Sequence, residues 1–443
     1  MNSILRSFRP AALGIFLAAA PALVSAQDSL KRLSMEDAVA TAMAGNKELQ
    51  LAAIDERIAA AGLKQTEAAF LPQLGFSYTA ATTNNPLNAF GFKLQEQSIG
   101  ASDFNPATLN NPGGRGDFMT RLELQQPIVN MDQYYLRKGA ARQVEVFRFK
   151  TRRTREWLEF RTRQAWLQLQ LAYESRRVLA DALQTAEAVS HWTEDRVGQG
   201  FLHKSDLLNA RVQVNTIESG LAMAVSDIKN GSDYLSLLMG SPYGVVYLVD
   251  EPLSQFDGQV YTDSTVPAGR ADFAALQKQL ETADLGIRSG KMSRLPKLNA
   301  FGSYQLNDDR IFGFGANAYL AGIRLSVDIF RGNSTRNKIF TQVLERSKLA
   351  EQLSLQRQES QLELNKERRK LADAGYKIRQ QIAAVEASAE SLRILRDRYE
   401  QGLENSTEVL QAQTRMIQQE QARAQALFEY QLALAYIKFL TTK

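Results

Sequence analysis

Two hydrophobic rhythms divide this chain. Long stretches repeat apolar residues every three or four positions, and four short stretches alternate them every second position. Leu158, Ala165, Leu169, Ala172, Leu179, Leu183 and Ala186 fall on one seven-residue seam. Ile378, Ile382, Val385, Ala389, Leu392 and Tyr399 fall on another. Such spacings put the residues on one helix face, as in coiled coils. Arg176 and Arg396 interrupt the two seams. The pattern predicts helices over 35–70, 139–197, 206–239, 270–292, 334–400 and 408–440. No proline occurs between Pro127 and Pro242, or after Pro296, so the longest two can run unbroken. At 1.5 Å per residue the 334–400 helix would span about 100 Å. A compact globule has no room for such rods, so they must lie side by side in a bundle or tube.

The period-two stretches predict strands at about 73–83, 118–129, 297–306 and 318–329. Leu74, Phe76, Tyr78 and Ala80 alternate with Gly75, Ser77 and Thr79, and Leu122 and Leu124 with Arg121, Glu123 and Gln125. Leu298, Ala300, Tyr304 and Leu306 form a third row, with Phe301 out of pattern. Tyr319, Ala321, Ile323, Leu325, Val327 and Ile329 form the fourth. One face is apolar and the other polar. A soluble sheet with one wet face would look like this. So would a set of tilted strands of bilayer length, with Phe76, Tyr78, Phe118, Tyr304 and Tyr319 placed for an interfacial girdle. Membrane strands must close on themselves, and known membrane barrels begin at eight strands. Four per chain then requires more than one chain, and three chains would give twelve.

The chain also repeats itself. Leu71-Pro72-Gln73-Leu74 recurs as Leu295-Pro296-Lys297-Leu298. The run from Leu124 to Val129 aligns with the run from Leu325 to Phe330. Arg196, Gly200, Ser205, Asp206, Leu208 and Ala210 align with Arg398, Gly402, Thr407, Glu408, Leu410 and Ala412. Each copy reads helix, strand, strand, helix, turn, helix. The expected division is 1–26, 27–240 as the first repeat, 241–269 as a linker, and 270–443 as the second repeat. The strand-joining segments, Asn84 to Asp117 and Asn307 to Asn317, read as exposed loops.

Residues 1–26 read as a cleaved secretory signal. Arg6 and Arg9 precede an apolar run from Ala11 to Ala20, and Val24-Ser25-Ala26 fits a cleavage site. A membrane anchor is the other reading, but the segment is short. The chain has no cysteine, which removes disulfides, thiol-linked lipid and cysteine metal sites. Without Arg6 and Arg9, 51 of the 53 basic residues remain against 48 acidic ones, a net +3. Interspersed charge of that size is no nucleic-acid footprint. Catalysis has no support either. The two histidines, His191 and His203, form no zinc pattern. Gly113-Gly114 lacks the Lys-Ser/Thr of a phosphate loop. Arg115-Gly116-Asp117 reads as a Gly-rich loop tip rather than an adhesion motif. No cofactor or metal is expected.

At the far end of each long helix stands Gly-x4-[Ser/Thr]-[Asp/Glu]. Gly200 and Gly402 suit a left-handed position just past a helix end. Ser205 and Thr407 are expected as N-caps, with Asp206 and Glu408 at the positive helix ends. On one reading the turns only stop and start helices; on the other they also dock and gate.

On these residues the chain resembles the TolC-like outer-membrane efflux proteins. The duplicated Leu-Pro-x-Leu strand starts carry the likeness, with Gln126-Pro127-Ile128 and its partner Asp328-Ile329-Phe330. So do Arg196-x3-Gly200-x5-Asp206-x-Leu208-x-Ala210 and Arg398-Tyr399-x2-Gly402-x5-Glu408-x-Leu410-x-Ala412-Gln413. The resemblance implies an α-helical coiled-coil barrel plus a transmembrane β-barrel: a homotrimer with twelve strands in outer-membrane lipid and a twelve-helix periplasmic tunnel. Its shorter helices would stack end to end, and the linker from Ser241 to Gly269 would lie near a belt around the tunnel. It further implies a passive exit duct that meets a periplasmic adaptor and an inner-membrane pump. Docking would fall on Gly200, Ser205, Asp206, Leu208, Gly402, Thr407, Glu408 and Leu410, and the periplasmic gate on Asp206, Tyr399 and Glu408. Gln411 and Glu404 depart from the acid and base that some relatives carry. A periplasmic adaptor or a structural envelope coiled coil are the rival readings. An adaptor has one hairpin rather than two, and a coiled coil needs no bilayer-length strands.

Overall fold

The computed structural model describes residues 29–249 and 264–442. The expected signal segment and residues 250–263 of the linker lie outside the described residues.

In chain order the elements are β1 (Ser29–Arg32), α1 (Met35–Gly45), α2 (Lys47–Glu67), β2 (Gln73–Thr83), α3 (Pro86–Gln95), α4 (Pro106–Asn110) and β3 (Arg115–Val129). Then come α5 (Met131–Gly198), α6 (Lys204–Met239), β4 (Val245–Leu248), α7 (Ala271–Met292), β5 (Lys297–Asp308), β6 (Ala316–Ser326), α8 (Ser334–Glu400) and α9 (Ser406–Thr441). Among the described residues no helix is long and apolar enough to cross a membrane.

The rods α5 and α8 run 68 and 67 residues, about 100 Å each at helical rise. Shorter helices lie along them: α2 and α6 on α5, α9 on both rods, and α7 in the groove between them. The chain exposes 28165 Å², against about 17,000 Å² for a compact monomer of its mass. Of the first heptad seam, Leu158, Ala165, Leu169, Leu179 and Ala186 are buried as expected. The second seam is only half realised. Ile378, Val385 and Tyr399 are buried, but Ile382 is exposed, so its face of α8 is uncovered among the described residues.

The expected 35–70 helix is two helices with a short 3₁₀ turn at Ala68–Phe70. Asn46 makes the break. Its side chain caps α2 by accepting from the Leu49 amide and donates to the Leu238 carbonyl at 2.8 Å. Gly45 and Gly240 touch backbone to backbone here, and a Cβ on either would overlap the other segment's carbonyl oxygen. The C-terminus of α6 thus abuts the start of α2, so two short helices stack to match one rod. The expected linker also holds structure: β4 pairs in parallel with β1. Tyr247 on β4 is buried, and Tyr173 of α5 donates to its carbonyl at 2.9 Å. The second long helix of the first half starts at Met131 rather than Gly139. Gly139 lies inside it, packed toward Leu285 of α7.

At the opposite end from the two tip turns lies one antiparallel sheet in the order β2-β3-β5-β6. Register places Leu74 opposite Leu124, Phe76 opposite Leu122, Leu122 opposite Tyr304, and Tyr304 opposite Tyr319. These apolar side chains share a face and stay exposed: Phe76 at 71% and Tyr319 at 83%. Phe301 belongs to the polar face, over Gly322. β6 ends at Ser326, not 329, because β5 begins at Lys297 and supplies no ladder partner beyond it. β3 reaches Val129 through a bulge at Pro127.

The first strand-joining segment is not a plain loop. Asn85-Pro86 and Asn105-Pro106 start helices, each Asn capping and each Pro filling the first helical position. Ion pairs Lys93–Asp103 and Arg115–Glu96 close the segment on itself. It folds over the polar face at the sheet's outer end, where Asp117, Asn307 and Ala316 are buried.

Candidate functional site

The tip is built by two hairpins, α5–α6 and α8–α9. Gly200 has φ +79° and Gly402 φ +75°, the left-handed conformation expected of both. The Phe201 amide donates to the Arg196 carbonyl at 2.8 Å and the Leu403 amide to the Arg398 carbonyl at 2.9 Å. Each turn is therefore a Schellman closure that satisfies the carbonyls left open at a helix end.

The N-caps are not Ser205 and Thr407. Both lie one residue inside the first turn, and the caps are His203 and Asn405. In the first hairpin Asp206 reaches back, its carboxylate accepting from the His203 amide at 3.1 Å. In the second the Asn405 side chain accepts from the Glu408 amide at 2.9 Å. The same helix start is thus capped from opposite directions in the two hairpins. That frees the Glu408 carboxylate, which has no ion pair among the described residues, while Asp206 is engaged.

Below the turns Val189, Ala210, Tyr399, Val409 and Leu410 form a buried cluster, with Trp192, Leu392 and Leu395 at its edge. Tyr399 is wholly buried, and its hydroxyl lies 2.7 Å from Thr193 Oγ1. Arg196 donates to the Glu400 carbonyl at 2.8 Å, and its guanidinium sits 4.9 Å from the centre of the Tyr399 ring. Gln413 donates to the Ala182 carbonyl at 2.5 Å. These contacts clasp the two hairpins within one chain. The structure therefore brings Tyr399 and Leu410 inside the clasp and leaves Gly200, Ser205, Leu208, Gly402 and Thr407 exposed.

Sequence reasoning missed Phe201 and Leu403, the residue after each glycine, exposed at 77% and 65%. The signal was the position itself, since in a Schellman turn that residue's amide is tied back while its side chain projects from the turn.

Midway down, a second polar cluster ties α7 to α8. Arg270 is buried and grips Asp272 with two bonds of 2.7 Å while donating to Ser360 at 2.5 Å. Gln356 also donates to Asp272 at 2.8 Å. Burial alone would push the Asp272 carboxyl up. Its bonds to Arg270, with the charges of Arg270 and Arg153, outweigh that and hold it below the usual range. Arg153 of α5 in turn lies over the Phe439 ring at 3.6 Å, so the end of α9 meets α5 beside this cluster.

A sheet with a bare apolar face, joined to two long helical hairpins, fits a membrane-embedded transport duct. The chain belongs to the outer membrane efflux protein family, whose profile matches residues 38–241 and 264–442. Members are outer-membrane transport channels without enzymatic activity. A search of curated proteins found no match. Among solved structures, the CmeC outer membrane channel of Campylobacter jejuni is similar at TM-score 0.79 and 16% identity, over 92% of this chain and 85% of that one. The Vibrio cholerae outer membrane protein VceC gives 0.72 and 16%, over 92% and 96%. The open state of the Neisseria gonorrhoeae MtrE outer membrane channel gives 0.71 and 15%, over 92% and 88%. At such identities the likeness concerns the fold.

Proposed function

We propose that three copies of this chain close into one exit duct, with twelve strands in outer-membrane lipid and a helical tunnel in the periplasm. One observation carries the reading: a four-stranded sheet whose apolar face is exposed and whose edge strands, β2 and β6, each lack an outer neighbour among the described residues. Unpaired edges in hydrocarbon cost too much to persist, so membrane strands must close. Exposed apolar side chains along the shorter helices, such as Leu51 and Ile58 on α2 and Val212 and Met223 on α6, fit helix packing between copies. The signal segment and the absence of cysteine fit export without a thiol-linked lipid.

In this reading a periplasmic adaptor docks at the exposed part of the tip, on Gly200, Ser205, Leu208, Gly402 and Thr407, with Phe201 and Leu403 as apolar anchors. An inner-membrane pump supplies the energy. Gating is movement of α8–α9 away from α5–α6, with Tyr399 as the clasp and Asp206 and Glu408 as the charged constriction. The test is a photo-crosslinking amino acid placed at Leu208 or Leu403 in cells. An adaptor captured from both sites supports the reading. Crosslinks to lipid or to no protein count against a periplasmic tip.

A further inference from the structure

The polar face of the sheet holds a groove of about 590 Å³ lined by Arg121, Glu123, Phe301, Leu320 and Arg324 among others. Most charges on this face are answered. Arg115 pairs with Glu96, Lys297 with Asp132 at 2.6 Å, and Arg121 with Glu123 at 3.4 Å. Asp117 is buried against Asn307, which donates to it at 3.0 Å. Arg324 is different. Its guanidinium lies 5.2 Å from the centre of the Phe301 ring, and among the described residues it has no carboxylate within ion-pair distance.

Phe301 is the residue that breaks the alternation of its strand, an aromatic ring on the wet face. Gly322 is what seats it. A Cβ at Gly322 would come within 3.0 Å of the ring. A glycine and a phenylalanine thus cooperate to hold one face of the guanidinium by a cation–π contact, leaving the other face and its donors toward the groove. Asp117 lies too far along the strands to cancel this charge, about 30 Å at strand rise against a screening length of about 8 Å.

We infer that Arg324 is a specificity residue that makes the inner wall of the exit barrel favour anionic cargo. The inference rests on the barrel reading, in which the polar face lines the lumen and each copy contributes one unanswered positive charge to a ring. A low-dielectric wall concentrates such a field on the passing solute.

The chain has no native cysteine, so single thiols report the local potential without interference. Leu320→Cys places a thiol on the polar face and Tyr319→Cys, its neighbour, on the apolar face. Both are probed in outer-membrane fragments with an anionic and a cationic methanethiosulfonate. Relative to a free thiol, Leu320→Cys, four residues along the strand from Arg324, should favour the anionic reagent by about twofold. Added Arg324→Gln should abolish the preference, Arg324→Glu should invert it, and Arg324→Lys should keep it. A ratio unmoved by Arg324→Glu overturns the inference and leaves the barrel standing. Tyr319→Cys should react slowly with both reagents. If it reacts as fast as Leu320→Cys, the barrel reading fails and takes the inference with it.

Discussion

Asp272 shows how a single carboxylate holds two elements together. It neutralises Arg270, which is buried and would otherwise keep a charge without a counter-ion. We expect Asp272→Asn to cost about 3 kcal/mol, since breaking one side of a buried pair strands the other. Thermal unfolding in detergent measures it. The sign of the pH effect follows from the lowered value. The stabilisation is present above the ordinary aspartate range and is lost as acid takes the pH down through the lowered folded value. Acid titration of the wild type should therefore loosen the α7–α8 contact, and the Asn variant should lack that acid-dependent step. Gly45 offers a second test. A methyl there meets the Met239 carbonyl oxygen, so Gly45→Ala should lower stability by about 1–3 kcal/mol through overpacking. An unchanged melting curve would mean that the two segments separate at no cost.

At the scale of elements, what was legible in the sequence depended on whether the signal was local. The strands were legible because alternation is a property of neighbouring residues, and Phe301 stood out for the same reason. The left-handed glycines were legible because a helix end before a new helix leaves few other uses for Gly200 and Gly402. The N-caps were misread. Ser205 and Thr407 are good cap types, yet Asp206 and Asn405 reach the free amides from other positions. The break at Asn46 was missed because its meaning depends on Gly240, far away in the chain. The clasp at Tyr399 was half seen: a register pattern gave its face, but its hydroxyl partner, Thr193, lies on another helix. We expect Tyr399→Phe, which removes only that bond, to raise single-channel conductance in planar bilayers. Asp206→Ala with Glu408→Ala should do the same. No change in either variant would separate the clasp from the gate. On the proposed reading, Gly402→Trp should impair efflux while the assembly persists as trimers in the outer membrane, because the turn sits at the end proposed for docking. Loss of trimers would make the turn a folding device alone.

For the whole molecule, each feature left unsatisfied in one chain is one that copies could satisfy. The apolar sheet face calls for lipid, the two sheet edges call for each other, and the exposed stretch of α8 around Ile382 calls for a neighbouring rod. The folded segment at α3 and α4 covers the polar face, not the apolar one, as it would at the mouth of a duct. Closure by identical copies is therefore the claim on which the duct, its gate and its charged collar depend. Native mass measurement of the protein extracted from outer membranes in mild detergent tests it most directly. Particles of three chains that come apart and unfold together support closure. A single chain that stays folded and dispersed in plain buffer contradicts it.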